Sequence, residues 1–529
     1  MITQNPSIFN NILGPVMRGP SSSHTAASWR IAKVSLDILN NELSEALVEF
    51  DEKGAWASNY EPQGTVLGMS GGLLNIDLKE EKILDYKNIA NNRNVNIEYK
   101  ISSFPTDHPN TVRLTLKSKR GKKIQVTAVS TGGGMMEVKR VNDIPVSIRG
   151  DYHELLIFYN NPLDDKEKQK IRDLLTENGF IHWEKNDDFQ VLQIKSTQPF
   201  AKGLRDQIGK IKKPIHFAQI NPVLPILSGN EQEIPFVSVS SMLDFGNKHH
   251  LDMGQLGMVY EQARSGLEHS QLEKMMEDLI HIVEHSMTKG LEGTQYEDRI
   301  LPHQSHYLYF RNKNQEYFDP LVNLIISYVS AIMEYKSSFG VIVAIPTAGS
   351  CGTVGGLLKA VGEKLGSSLE DIIKAYFAAG MIGVFIANGP GFSAEEHGCQ
   401  VETGAAGAMA AGALVQLYGG NARQAINAAS MTLQNCIGLV CDPVANRVEV
   451  PCLGKNVAAA MNALSSATMA LSGYDPVIPF EETIESVKNV GKKMHSDFCC
   501  TGRGGLAITP TSRNLLRKLK KTNDTKNRH

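Results

Sequence analysis

Between residues 354 and 471 the sequence is a succession of helical patterns, at about 354–364, 369–387, 403–418, 422–436 and 456–471, with faces full of Ala and Gly. Small side chains allow helix backbones to approach closely, so this stretch reads as a tightly packed helical module. Three cysteines interrupt it: Cys399, Cys441 and Cys452. Each lies close to a helix breaker, Gly398, Pro443 and Pro451 respectively. A thiolate on a loop or helix end can turn towards a shared point, whereas one inside a regular helix usually packs. Cys436 ends the run Met431 to Cys436 and reads as packed.

The rest of the chain is organised differently. At 529 residues it is too long for one core, and two to four domains are expected. Residues 1–149 read as an α+β module. Gly19-Pro20-Ser21-Ser22-Ser23-His24-Thr25 is a turn-and-cap sequence before a helical pattern from Ala26 to Leu39. Such a helix start attracts anions. Strand-like runs follow at 46–50, 95–99, 112–116 and 124–129, the last leading into Thr131-Gly132-Gly133-Gly134. Residues 150–228 carry strands at 154–158 and 191–194 and helices at 166–178 and 204–211, a small β-α-β segment. Pro222, Pro225, Gly229 and Pro235 mark a linker. Residues 236–515 are mostly helical: one long pattern from Gly257 to Met287, a helix at 321–334, a strand at 340–344, and another helix at 481–495. Residues 516–529 read as a flexible basic tail. The expected fold class is therefore multidomain, with an N-terminal α+β module, a small α+β middle segment and a mainly α-helical C-terminal catalytic module.

A net charge of -2 gives no support for nucleic-acid binding or a polybasic membrane anchor. The most apolar run, Ile372 to Gly389, contains Lys374 and reads as a buried helix rather than a membrane span. Met1 to Phe9 lacks the pattern of a signal peptide. Seven cysteines without a secretion signal point to reduced thiols in the cytoplasm. There they are inert core residues or ligands. No Cys-x-x-Cys is present, and adjacent Cys499 and Cys500 point in diverging directions in most backbones. A structural zinc would need a fourth ligand, for which His397 and Cys436 are available. A [4Fe–4S] cluster on three protein ligands would leave one iron open as a Lewis acid.

Taken together, Gly19 to Thr25, Pro346 to Ser350, Gly398-Cys399-Gln400 with Glu402, Leu439 to Val444, Val448 to Cys452 and Gly504 to Ala507 resemble the iron–sulfur-dependent L-serine dehydratases, or L-serine ammonia-lyases. The resemblance covers nearly the whole chain, with β-type and α-type modules fused in that order. It implies a [4Fe–4S] cluster on Cys399, Cys441 and Cys452, and β-elimination of water from L-serine to give pyruvate and ammonia. Such an activity serves amino-acid degradation and gluconeogenesis. His24 is the candidate base, with Ser22 and Ser23 beside it. Ser21, Thr25, Thr347, Gly349, Ser350, Asn388 and His397 are the candidate substrate contacts. The bland readings are an N-cap for the serines, a tight structural turn for 347–350 and a cap for Asp442. Arg503 reads as a solvated loop residue, though it could hold a carboxylate. The middle segment resembles an ACT-like fold loosely, and with Asn160 to Asp165 in place of a glycine loop it is expected to be structural or dimerising. A homodimer is expected.

The chain departs from the family pattern in three places. Gln63-Gly64-Thr65 stands where many relatives carry His-Gly-Thr. Some single-chain relatives end with a cysteine that reaches the site; this sequence ends without one, so an open iron is expected. Cys351 follows the Pro346 to Ser350 turn and is expected to be a bystander. Related eliminations on L-cysteine or L-threonine, and a non-catalytic amino-acid or redox sensor, remain alternatives. A pyridoxal phosphate enzyme needs a Schiff-base lysine in a phosphate-binding setting, which neither Lys374 nor Lys455 has.

Overall fold

A computed structural model describes residues 5–175, 179–185, 189–311 and 319–526. The chain is mixed α/β, with both large sheets in the N-terminal half and helices filling the C-terminal half. The first sheet has six strands in the order Asn96–Ser102, Leu43–Asp51, Thr111–Ser118, Lys123–Gly132, Met135–Val141, Ile144–Ile148. Only the first pair is parallel. Strand Thr111–Ser118 alternates as the pleat requires, burying Val112, Leu114 and Leu116 against Ile31 and Val34 of the helix Ala27–Ile38. A second helix, Thr65–Leu73, crosses that one at Gly68 and Gly72. A side chain at either would meet the backbone of Thr25 or Trp29 within 2.4 Å, so only glycine permits the crossing.

The middle segment is a four-stranded antiparallel sheet in the order His216–Ile220, His153–Tyr159, Gln190–Ser196, Gly179–Lys185. The chain order is β-α-β-β-α-β, with helices Asp165–Leu174 and Leu204–Ile211. The strands Gly179–Lys185 and His216–Ile220 go beyond the two expected from sequence. One face, Leu155, Ile157, Leu192 and Ile194, covers Ile171 and Ile208 of the helices. The other, Leu156, Phe158, Val191 and Ala218, joins the core of the first sheet. Burial on both faces explains the unbroken apolar run from Leu155 to Tyr159.

In the helical part, Thr403–Leu417 is central, buried on every side from Thr403 to Val415. It packs against Leu369–Asn388, Ala422–Gln434, Cys452–Leu471 and Cys351–Leu365. Its Ala and Gly residues permit that crowding, as the sequence suggests. The long pattern 257–287 is two helices, Met253–Ser265 and His269–Glu292, because Gly266 adopts φ 69° and ends the first. The run expected to be a flexible tail is helical in Pro510–Lys526, and 527–529 lie outside the described residues.

The N-terminal arm does not stay with its own sheet. Ile8 and Ile12 lie on Gly380 and Gly383 of the helix Leu369–Asn388. Val16–Arg18 pairs antiparallel with Val341–Val343. Ser7 Oγ and the Ile8 N–H donate to the buried Glu261 carboxylate at 2.5 and 2.7 Å. The arm thus delivers the turn at 19–25 to the helical module. Among the described residues, no helix is long and apolar enough to cross a membrane.

Candidate active site

The turn Ser22–Ala26 winds directly into the helix Ala27–Ile38 and is buried throughout. His24 is fully buried there. Its Nε2 lies 2.8 Å from Asn59 Oδ1, and the Asn59 amide nitrogen donates to the Cys500 carbonyl at 3.0 Å. That second bond fixes which end of the carboxamide faces His24. A carboxamide oxygen only accepts, so Nε2 carries the proton and Nδ1 presents its lone pair. Around Nδ1 lie Ser21 Oγ at 3.0 Å, Ser23 Oγ at 3.2 Å and Glu395 Oε1 at 3.5 Å. Ser23 donates to Glu395 at 2.6 Å, which leaves Ser21 to donate to Nδ1. Burial lowers the His24 pKa, while Glu395 and Asn59 oppose that shift.

Cys399 and Cys441 meet on the helical side, while Cys452 is not in the group of converging ligand atoms. Cys399 opens a short turn, Cys399–Val401, after Gly398, whose φ is 74°. Cys441 sits on a loop bridged to Cys499. Cys452 is the first residue of its helix, four residues earlier than the pattern suggests. Ligand atoms of Cys399, Cys441 and Glu402 all lie within 4.8 Å of one another and can hold a metal ion. Asn456 ties Cys452 to the 347–350 turn, donating to the carbonyls of Cys452 and Gly349 at 2.8 Å each.

The donor set suits a soft metal group. The Cys441 thiol, hydrogen-bonded to Cys399 and Cys500 and buried, has its pKa pushed far up, while its bond to Cys399 lowers that neighbour. Burial pushes Cys452 up to about 12. Thiols whose pKa is raised in this way ionise poorly on their own, and a bound cation would displace their protons to solvent as the thiolates coordinate it. Lys455 Nζ donates to Val440 O at 2.6 Å and Asp442 Oδ1 at 2.9 Å; against its burial, Cys399 and Cys441 favour its charged form.

The two halves are in contact. Ser22 Oγ accepts from the Ala348 N–H at 3.3 Å. Thr347 hydrogen-bonds Glu402, whose carboxyl pKa is raised well up by burial and by Cys399 and Glu395. A side chain at Gly349 would meet that carboxylate at 3.3 Å. Ser350 Oγ closes its own turn on Ile345 O at 2.9 Å.

Three sequence candidates stand apart from this network. Thr25 donates to Gln63 O at 3.1 Å and fastens the loop beside Gly19 and Gly64. His397 lies against Gly491, its half-buried ring having no partner at Nδ1 among the described residues. Asn388 is exposed at the end of its helix.

Other residues escaped the sequence reading. Glu395 and Asn59 are ordinary polar residues until the fold brings them to His24. Glu402 lies in a motif the sequence analysis used, but without a role there. Cys500 carries no signal in sequence, where the side chains of an adjacent pair such as Cys499-Cys500 are expected to diverge. It is buried, adopts φ 60°, contacts Cys441 and accepts from Gln63 Nε2 at 3.5 Å. Gln63 thus touches a further thiol beside Cys441. Cys351 packs on Met333 Sδ at 3.8 Å, and Arg503 pairs with Asp497 at 2.9 Å on the surface.

The comparisons with known proteins point the same way. The probable L-serine dehydratase alpha chain of Bacillus subtilis (strain 168) is 40% identical over 256 residues, covering 47% of this chain and 85% of that protein. The L-serine dehydratase alpha chain of Peptoniphilus asaccharolyticus is 32% identical over 287 residues, 54% of this chain and 98% of that one. L-serine dehydratase 1 of Escherichia coli (strain K12) is 37% identical over 194 residues, 36% of this chain and 43% of that one. A family model described as serine dehydratase alpha chain matches residues 190–507, more than half of the sequence, and the chain belongs to that family.

Proposed function

We propose that this chain is an L-serine ammonia-lyase that uses a [4Fe–4S] cluster to release pyruvate and ammonia. The observation that carries the reading is the meeting of two sets of residues from opposite ends of the chain. One is Cys399 and Cys441 with Glu402 close by, a set that Cys452 would join as the third thiolate. The other is a buried, neutral His24 with its Nδ1 lone pair among Ser21, Ser23 and Glu395. Cys399, Cys441 and Cys452 would hold the cluster, with Lys455 offsetting their negative charge. When bound, a cluster on three thiolates supplies Lewis-acid polarisation of the substrate carboxylate and β-hydroxyl. His24 Nδ1 takes the α-proton, and Glu395 stabilises the imidazolium that results. Ser21 and Ser22, at the buried helix start, orient the substrate carboxylate. Loss of the α-proton and the β-hydroxyl leaves aminoacrylate, which water converts to pyruvate and ammonia. Burial of His24 and its serines keeps bulk water away from the proton transfer.

In the same reading, 1–149 is a β-type module and 236–515 the catalytic module. The β-α-β-β-α-β unit at 150–228 is an ACT-like linker with a structural or dimerising role in a cytoplasmic homodimer. The test is a pyruvate assay on anaerobically purified protein. L-serine should yield pyruvate in proportion to iron and sulfide content. Absence of pyruvate from protein with full iron and sulfide would refute the assignment.

A further inference from the structure

Three buried polar side chains of the N-terminal module have no hydrogen-bond partner among the described residues. Asn110 is completely buried, yet neither its Oδ1 nor its Nδ2 has a partner among the described residues. Ser130 Oγ and Trp56 Nε1 are in the same condition. The backbone at this point is satisfied: the Asn110 N–H donates to His108 Nδ1 at 3.1 Å, and the Ser130 N–H donates to Asn110 O at 3.1 Å. The deficit is therefore confined to side chains. A buried carboxamide with no partner loses its hydration and gains nothing in return. Such groups call for an occupant.

Their placement is specific. The Ala55 N–H donates to Pro109 O at 2.9 Å, which sets Trp56 beside the Asn110 loop. The Trp56 ring centre is 5.7 Å from that of His24. Ser130 lies at an irregularity in its strand, between Ser130 and Gly132, that re-aims the side chains there. Gly132 then abuts Ser393, whose Oγ donates to Glu395 Oε2 at 3.2 Å. Of the three, the Trp56 ring packs beside His24, Asn110 follows the Pro109 carbonyl that holds Ala55, and Ser130 is bonded through its backbone to Asn110 and lies two residues from Gly132 on the Ser393–Glu395 side.

We infer that Asn110, Ser130 and the Trp56 indole N–H form a recognition subsite for the carboxylate and ammonium of an α-amino acid held against His24. The chemistry matches. The indole, the hydroxyl and the carboxamide N–H groups donate, as a carboxylate requires, while Asn110 Oδ1 accepts, as an ammonium requires. The inference rests on the amino-acid lyase reading above, and it adds positioning residues from the N-terminal module to that site.

The test separates recognition from structure. Asn110→Ala and Ser130→Ala are compared with the wild-type holoenzyme for thermal midpoint, with and without L-serine, and for pyruvate formation. Without L-serine, both variants should match or exceed the wild-type midpoint, because an unsatisfied group has been removed. KM should rise about ten- to a hundredfold, with a smaller change in kcat, and the midpoint gain from L-serine should shrink. Lowered midpoints with unchanged KM would overturn the inference and make these residues structural. Unchanged midpoints with unchanged KM would overturn it too, leaving only trapped water there. A wild type that makes no pyruvate but is stabilised by L-serine through these residues would refute the lyase reading and keep the subsite. No stabilisation and no pyruvate in the wild type would refute both.

Discussion

The Asn59 carboxamide oxygen accepts the Nε2 proton of His24 at 2.8 Å, and this contact leaves Nδ1 as the ring nitrogen with a free lone pair. Asn59→Leu removes the acceptor, leaves a buried N–H unpaired and frees the ring to change tautomer. We expect kcat to fall by about ten- to a hundredfold. Asn59→Asp keeps the tautomer but places a carboxylate against the imidazole, which raises the His24 pKa. The base must be neutral, so the acidic limb of the kcat/KM profile should move to higher pH. A limb unmoved in Asn59→Asp would show that His24 does not set it.

Thiol replacements should sort the cysteines. Cys399→Ala, Cys441→Ala and Cys452→Ala should each yield anaerobically purified protein without iron, sulfide or brown colour. Cys500→Ala should keep all three and alter the absorbance spectrum, because its thiol contacts Cys441 without belonging to the ligand set. Iron and sulfide analysis together with the spectrum decides this. Colour surviving in all of the first three variants would rule out the ligand set.

Glu261 makes docking of the N-terminal arm sensitive to pH. Burial raises its pKa to about 7, against the pull of Ser7 and the Ile8 N–H. A carboxyl raised on folding contributes its stability fully below the unfolded pKa, and loses it as pH climbs through the folded one. The window is thus from about 4.5 to about 7, worth on the order of 3 kcal/mol. Amide exchange at residues 7–13 should be slower at pH 5.5 than at pH 8 after correction for intrinsic rates, and Glu261→Gln should flatten the difference. Glu154, also raised by burial to about 7, acts with the same sign but in the middle sheet, so the probe must be local.

Close helix contact can be tested at Gly257. A methyl there would meet the Phe377 carbonyl oxygen at 2.4 Å, and backbone cannot step aside as a side chain can. Gly257→Ala should cost about 1–3 kcal/mol of stability in denaturant unfolding. An unchanged midpoint would show that the helices Met253–Ser265 and Leu369–Asn388 are not held so close.

The sequence by itself determined the helical module, most of its helix positions, and the three cysteines at loop and helix ends. These are local properties: periodicity, small residues and breakers act over a few residues. His24 and its serines are singled out by the resemblance of the 19–25 motif, and the cap read there is not formed, since neither Ser21 nor Ala26 makes a side-chain cap bond. The split of the 257–287 helix was less legible, since Gly266 acts through a left-handed φ that many glycines do not adopt. Only the tertiary structure could bring Asn59 and Glu395 to His24, or Cys500 to Cys441. A polar side chain says nothing in sequence about a partner hundreds of residues away. The short pairing of Val16–Arg18 with Val341–Val343 was hidden for the same reason. The buried, unpartnered Asn110 and Ser130 were equally hidden, because an unmet hydrogen bond exists only once folding has excluded water.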